Sequence, residues 1–573
     1  VAGALVLVLA ILGLIPSLRS PLLQRLGLAD LDHEAIELAQ RAIEAELAER
    51  VSKGMPRPAD VRIVPTGLTN AELQRTWHRT PEGSDVFPVA LFFALEDPTT
   101  GRPLIESMDR FGFIPAPGGD GDLPVGFSRV RSPKGDFVLT GFNCAACHSS
   151  QITFGGKTLH IDGAPNLIDT EAFYRGVLDA SEALLKPDAG RKRFEFVLRF
   201  LYYNALELAK LDGVPTGGPG SGSAGSPSRP TGNAVERYEQ GIAFLKQRIA
   251  TVHRISESFR DHSPGGPGRA DSFGIIRNMM MTTELLGQSG NSRPMNAPVS
   301  IPHLFNFGTF TNLHWDGNTT TGNDRNYAQA IALGADFDPV SKASSVRPAG
   351  LYAMEKTAWM LRPPKWPVDT FGPLDAARVA RGRALFRSQS CVDCHERETW
   401  TPVTKVGTDP NRLAGYNEPL RVAGNRSESY ALNLQRSALA IKLKAYEDHQ
   451  VPQALREAMD ARHPGVKQEW IDTLDKGYLS RPLAGSWATA PFLHNGSVPT
   501  LWDLLQPAVR RPKRFPVGHR EFDPVKVGFV DRPTRVVWEF DTSVNGNRNT
   551  GHEYGTALTD DQKWDLIEYL KSL

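Results

Sequence analysis

Apolar residues follow several rhythms along this chain, and each predicts a different kind of element. Val1 to Ile15 reads VAGALVLVLAILGLI with no polar position, ends at Pro16 and is followed by Arg19 and Arg25. A run without a polar face, close to the roughly 20 residues that span a bilayer, predicts an anchor rather than a surface helix. Ile15 to Arg19 makes a poor cleavage site, which favours an uncleaved anchor over a removed signal. Residues 1–18 are therefore read as an N-terminal membrane anchor or signal remnant, and 19–55 as a helical stalk with its helix over Asp30 to Lys53.

Helical periodicity returns over Asp169 to Leu211 and Ala234 to His262, on either side of a Gly/Pro/Ser tract at 213–233. Such a tract cannot bury apolar surface. Both flanks are amphipathic and need partners, so the tract predicts a disordered excursion inside one domain. Pro56 to Asp169 alternates short apolar runs with turn residues, and Ser263 to Lys365, rich in Gly, Pro and Asn, shows little helical period. Two further helices are expected, at Asp375 to Phe386 and at Thr559 to Leu573, the latter with Asp560 and Asp561 in its first turn.

Composition adds two constraints. With 52 glycines and 43 prolines among 573 residues, long irregular loops are expected, and the length allows two or three domains. The balance of 65 basic against 64 acidic residues gives no electrostatic reason to expect a nucleic-acid partner.

The chemistry lies in the cysteines. All four fall in two copies of CxxCH, Cys144-Ala145-Ala146-Cys147-His148 and Cys391-Val392-Asp393-Cys394-His395. Two thiols one helical turn apart can add to the two vinyl groups of one haem, and the next residue then offers its imidazole to the iron. A redox dithiol does not need a histidine in fifth place twice, and a four-cysteine zinc site leaves both histidines unexplained. Two covalently attached c-type haems are thus the expected cofactors, with His148 and His395 as proximal iron ligands. The fold class that follows is mainly α with extensive irregular loops, arranged as two cytochrome c-like haem domains at 56–370 and 371–573. Attachment by this motif normally occurs outside the cytoplasm. The expected location is periplasmic or extracytoplasmic, anchored to the cytoplasmic membrane by the N-terminal segment.

The second haem needs a sixth ligand or an open face. Met459, the only methionine after His395, stands in a solvent-like context, Glu457-Ala458-Met459-Asp460-Ala461, whereas His552 lies in a glycine-flanked loop just before the last helix. His395/His552 coordination is expected, at lower potential than His/Met ligation gives. His494 is assigned to the haem environment, as a propionate contact rather than an iron ligand. His160, twelve residues after His148, is a candidate distal ligand of the first haem, or a turn cap.

Larger segments carry a resemblance. Asn296-Ala297-Pro298, His314-Trp315-Asp316-Gly317-Asn318, the run Ala488 to Ser497 and Gly551-His552-Glu553-Tyr554-Gly555 resemble the di-haem cytochrome c peroxidase superfamily over most of residues 70–573. Thr80-Pro81-Glu82-Gly83-Ser84, Asn143 to His148 and Ile161 to Pro165 look closest to its rubber-oxygenase-like branch. The resemblance implies that Trp315 lies between the haems and passes electrons, and that the N-terminal haem is the reaction centre. It also implies a glutamate some twenty residues beyond the tryptophan, to move protons. No glutamate occurs from Asp316 to Gly350, where Asp336 and Asp338 are the available substitutes.

Three functions compete. One is a peroxidase-like oxidoreductase that activates peroxide or dioxygen at the N-terminal haem, with a small redox protein as electron partner. Another is a rubber-oxygenase-like dioxygenase cleaving an apolar organic substrate. The third is a non-enzymatic electron-transfer cytochrome.

Overall fold

The fold is taken from a computed structural model that describes residues 55–573 except 86, 118–121, 134, 187–188, most of 214–261, 282–288, 320–321, 423–425 and 462–476. The anchor, the stalk helix, the Gly/Pro/Ser tract and nearly all of the helix expected at Ala234 to His262 lie outside the described residues. Among the described residues no helix is long and apolar enough to cross a membrane.

The first haem motif is held by a short helix, Cys144–His148, whose N-terminus is capped by Asn143: its Oδ1 accepts the Ala145 N–H at 2.9 Å. The chain runs straight on into an antiparallel pair, Ser149–Phe154 with Lys157–Asp162, and Val61–Ile63 adds to the second strand in parallel. Helix Ala71–Arg79, capped by Asn70, packs over the motif and buries Trp77 and His78. Behind it, Phe92, Phe113, Phe127, Phe142 and Phe173 form a buried edge-to-face cluster. Each such pair contributes about 0.5–1.5 kcal/mol beyond its area, so the cluster adds to the core of the first half beyond simple burial. As expected, Asp169 opens a helical stretch, Thr170–Leu185 and then Gly190–Leu211, which packs on Val89–Ala94.

The second half is built on two crossing helices. Ala376–Ser388, capped by Asp375, leads into the second motif; Asp560–Ser572, opened by a Thr559/Gln562 capping box, lies across it. Gly382 sits at the crossing, where a Cβ would stand 2.0 Å from the Asp565 carbonyl oxygen. Arg378 and Arg381 both bind the Asp565 carboxylate, closing the crossing on its polar side.

Two expectations change. Ser263 to Lys365, expected to show little helical period, contains helices Ser272–Met280, Gly322–Ala332 and Pro348–Ala358 among its loops. Their stability is tertiary, since Gly322–Ala332 buries Tyr327, Ala328 and Ile331 against the long helix Tyr430–Asp448. That contact also blurs the boundary at 370. Residues 416–459 join the first hydrophobic core, while Ile161, Leu167 and Phe305 join the second. Met459, expected in a solvent-like place, is 1% exposed within the first core.

Gly382→Val should lower stability by about 1–3 kcal/mol or more through overpacking at the helix crossing. Chemical denaturation of the holoprotein reads this directly, and an unchanged midpoint would show that the helices slide apart without cost.

Candidate functional site

In both motifs the fifth residue is oriented by the same device. The His148 Nδ1–H donates to the carbonyl of Pro302 at 2.9 Å, and the His395 Nδ1–H to that of Arg481 at 2.8 Å. Fixing Nδ1 this way leaves Nε2 of each ring for a metal and holds the ring's rotation. Burial pushes the His148 imidazole down to about 3, aided by the Arg325 charge, and lowers that of His395, so both are neutral at pH 7. Neutral imidazole is the ligating form.

The two carbonyls belong to loops that match residue for residue. Asn306 and Gly485 are left-handed (φ 59° and 74°), and each precedes a single 3₁₀ turn, Phe307–Thr309 and Ser486–Ala488. Each turn leads to a tight reversal, bridged Leu313 to Thr319 in one loop and Phe492 to Val498 in the other. Within these reversals His314 and Leu493 share φ 65°, and Gly317 and Gly496 have φ 61° and 66°. Trp315 and His494 are therefore equivalent positions. The residues after the two carbonyls, His303 and Pro482, line one cleft of about 380 Å³ with Phe305, Phe310 and Arg397.

The sites differ in what faces the proximal ring. His552 is 6.2 Å from His395, centroid to centroid. Two imidazoles binding one metal from opposite sides through bonds of about 2 Å hold their centres about 6 Å apart. His552 reaches this place from a left-handed residue (φ 49°), with its N–H on the Val406 carbonyl at 2.7 Å. Gly551 packs against Gly407 so closely that a Cβ would meet its backbone at 2.2 Å. Arg511 clamps the loop by donating to the carbonyls of Asn549, Gly551 and His552. Among the described residues no ring contact joins His148 to a second histidine.

Trp315 ties the two loops together. Its Nε1–H donates to the Ser300 carbonyl at 2.7 Å, the Ser300 N–H donates to the His494 carbonyl at 2.8 Å, and the Trp315 carbonyl accepts from Leu479 at 2.7 Å. His494 stacks on Tyr478 at 4.0 Å, and burial with the nearby Arg412 and Arg269 charges pushes it down to about 3. Around it, Nε and Nη1 of Arg269 and both Nη atoms of Arg412 are buried without a protein acceptor. Arg412 also pairs with Asp316 at 3.1 Å, and the four remaining donors require further acceptors, which an anion can supply. Haem propionates match that requirement, and the thiols, the neutral imidazoles and the paired His395 and His552 rings match the rest of a c-type haem. The residues present thus fit the cofactor that the motifs imply.

Three secondary candidates fall elsewhere. His160 is on a strand, with Nε2 3.0 Å from Asp162 Oδ1, which also takes His78 at 2.7 Å and the Ser149 hydroxyl at 2.8 Å. It belongs to a buried network behind the first motif. Asp338 is exposed and caps its own turn through the Val340 N–H, and Asp336 is pinned in the same segment, its carbonyl accepting from Ser345. Sequence reading missed Glu82, whose Oε1 is 2.8 Å from Cys144 Sγ and takes the Cys144 N–H at 3.1 Å. It also missed Arg325, whose charge acts on both thiols.

These features define a haem-binding cytochrome of the c type. Comparison agrees: residues 477–516, the stretch that carries Arg481 and His494, are a RoxA-like, cytochrome c-like domain. Over longer spans the chain is similar to two uncharacterized proteins of Sinorhizobium fredii (strain NBRC 101917 / NGR234). It is 29% identical to y4iJ over 582 residues, 88% of this chain and 92% of that protein. It is 29% identical to y4iM over 327 residues, 52% of this chain and 70% of that protein.

His552→Ala should leave haem attached at both motifs but convert one low-spin haem to high spin. Electron paramagnetic resonance and the pyridine haemochrome of the purified variant check this, and an unchanged low-spin signal would remove His552 from the iron.

Proposed function

We propose that this protein is a di-haem c-type oxidoreductase in which the His148 site activates peroxide or dioxygen and the His395 site stores and supplies electrons. When bound, the haems supply one-electron chemistry and, at an open iron, a place for the oxidant. The observation that carries the reading is an asymmetry between equal frames. The two proximal rings are tied to equivalent carbonyls of matching loops, yet among the described residues only His395 has a second imidazole across from it. A ring pair closes a site to ligands and favours electron transfer. A lone proximal ring leaves the opposite face to a substrate.

The chain's own residues divide the work accordingly. Cys144, Cys147 and His148 hold the reactive site, and Cys391, Cys394, His395 and His552 hold the electron-storing one. Trp315 carries electrons between them through the loop contact it makes with Ser300. The donor for this cycle is a small redox protein, and the body of the protein works outside the cytoplasm, tethered by its N-terminal segment.

A second reading, oxygen insertion into an apolar substrate without an external donor, is favoured by the RoxA-like domain at 477–516 and by the turn-capping role of Asp338. With the Asp338 carboxylate held in its own exposed turn, proton delivery for peroxide cleavage must come from elsewhere.

Low-temperature electron paramagnetic resonance of the isolated protein should show one high-spin or exchangeable haem beside one bis-histidine low-spin haem. Peroxide consumption with a reduced small cytochrome supports the first reading; dioxygen uptake with an apolar alkene and no donor supports the second. Two inert low-spin haems in every redox state would reduce the protein to an electron carrier. Trp315→Leu should slow electron exchange between the sites tenfold or more with both coordination spectra unchanged, and unaltered stopped-flow kinetics would return Trp315 to a packing role.

A further inference from the structure

Three buried side chains converge behind the first motif. His78, in the last turn of helix Ala71–Arg79, and His160, on the strand Lys157–Asp162, both bring Nε2 to Oδ1 of Asp162, at 2.7 and 3.0 Å. The three ligating atoms all lie within 4.8 Å of one another, and His78, His160 and Asp162 are 5%, 0% and 1% exposed. Their frame is rigid. His160 stands on the middle strand of its sheet, between Val61–Ile63 and Ser149–Phe154, and its ring is edge-on to that of His78 at 5.4 Å.

Hydrogen bonding alone accounts poorly for this arrangement, on two counts. Asp162 Oδ1 also takes the Ser149 hydroxyl at 2.8 Å, so three polar atoms crowd one oxygen, and among the described residues none binds Oδ2. A carboxylate oxygen has only about two lone-pair directions to offer. The second count is the far side of His160. If its Nε2–H donates to Asp162, its Nδ1 is a bare acceptor, buried and without a partner. The cross-strand neighbour of His160, Gln151, adds a second buried acceptor, Oε1, that is likewise unpaired. Two acceptors cannot serve each other. With Nε2 on a cation instead, Nδ1 carries the proton and becomes a donor for Gln151, the kind of partner that metal-bound histidines usually have.

We infer that His78, His160 and Asp162 form a binding site for a divalent first-row metal ion, zinc being the one that suits two imidazoles and a carboxylate best. Two donors bound to one ion at about 2.1 Å stand roughly 3.0 Å apart at a right angle and roughly 3.4 Å apart in a tetrahedron. The observed 2.7 and 3.0 Å reach these values by small side-chain rotations. Ser149 Oγ, held by the Trp77 Nε1–H at 2.9 Å, is a further oxygen at hand. Calcium and magnesium prefer all-oxygen sites and are disfavoured by the imidazoles. Because all three ligands are buried, the ion is structural: it ties helix Ala71–Arg79 to the hairpin that continues from His148, and so braces the seat of the first haem.

The metal content of the purified, haem-loaded protein tests this, read by inductively coupled plasma mass spectrometry after passage over a chelating resin. The expected result is about one zinc or equivalent divalent ion per chain beyond haem iron, with a roughly tenfold loss of it in H78A, H160A and D162N. A hydrogen-bonded network would be damaged by the same substitutions but would hold no metal, so metal content separates the two. X-ray absorption at the zinc edge should show nitrogen and oxygen at about 2.0–2.1 Å; sulfur at about 2.3 Å would put the ion on unreacted CxxCH thiols and overturn the site. The wild type gives a readout that does not depend on the variants folding. Removal of its ion by dipicolinate in mild denaturant should lower the unfolding midpoint, and zinc but not magnesium should restore it; an unchanged midpoint overturns the bracing role. Wild-type protein that holds less than about a tenth of an ion per chain and takes up none from a zinc buffer overturns the inference, as does zinc retained in full by both H160A and D162N.

Discussion

The hydrogen bond from each proximal imidazole to a main-chain carbonyl is the constraint around which the rest of the molecule is arranged. A bond of this kind contributes only about 1 kcal/mol to stability. Its larger effect is orientational, because it selects the tautomer and fixes the plane of the ring that meets the metal. A carbonyl can do this only if its own loop is immobile. Hence the left-handed residues Asn306 and Gly485, the single 3₁₀ turns and the bridged reversals that follow, built twice with almost no shared side chains. The backbone conformation has been kept where the sequence has not, since a carbonyl is offered equally well by Pro302 and by Arg481.

Given two equal frames, the differences between them carry the function. The left-handed position of the reversal is His314 in one loop and Leu493 in the other, and the next position is Trp315 against His494. The first loop therefore brings polar and redox-capable groups toward its site. The second brings an aliphatic residue, and its site is completed from the far end of the chain by His552. That completion needs a loop able to approach the Val403–Val406 turn at backbone distance, which Gly407 and Gly551 permit and Arg511 locks. Division of labour thus arises from local substitutions on a common frame rather than from two different folds.

Much of this was legible in the sequence, for reasons that differ between elements. The CxxCH motifs, the helix starts at Asp169 and Asp375 and the helix after Thr559 are local signals in which spacing and residue type dictate the outcome. His552 was found by elimination, because the flanking Gly551 and the absence of another suitable methionine pointed to it. Helices Gly322–Ala332 and Tyr430–Asp448 were not foreseen, since each is stabilised by the other across a hundred residues of sequence. Glu82 escaped for a related reason: it belongs to no spacing rule, and only the folded chain brings it to Cys144. The carbonyls of Pro302 and Arg481 leave no trace in side-chain identity at all.

The buried charges also bear on how the fold and its cofactors depend on each other. Arg269 and Arg412 present four buried N–H groups that find no protein acceptor. Each such group costs about 1–3 kcal/mol when left unpaired. Their sum, roughly 4–12 kcal/mol, rivals the 5–15 kcal/mol that a whole domain retains as net stability. Arg412 is already paired with Asp316, and Asp409 is within electrostatic reach of Arg269, so the remaining donors call for acceptors beyond those carboxylates. Haem propionates would supply them where the two loops meet, next to Trp315 and His494. The cofactor that the cysteines capture through its vinyl edge completes the core through the opposite one.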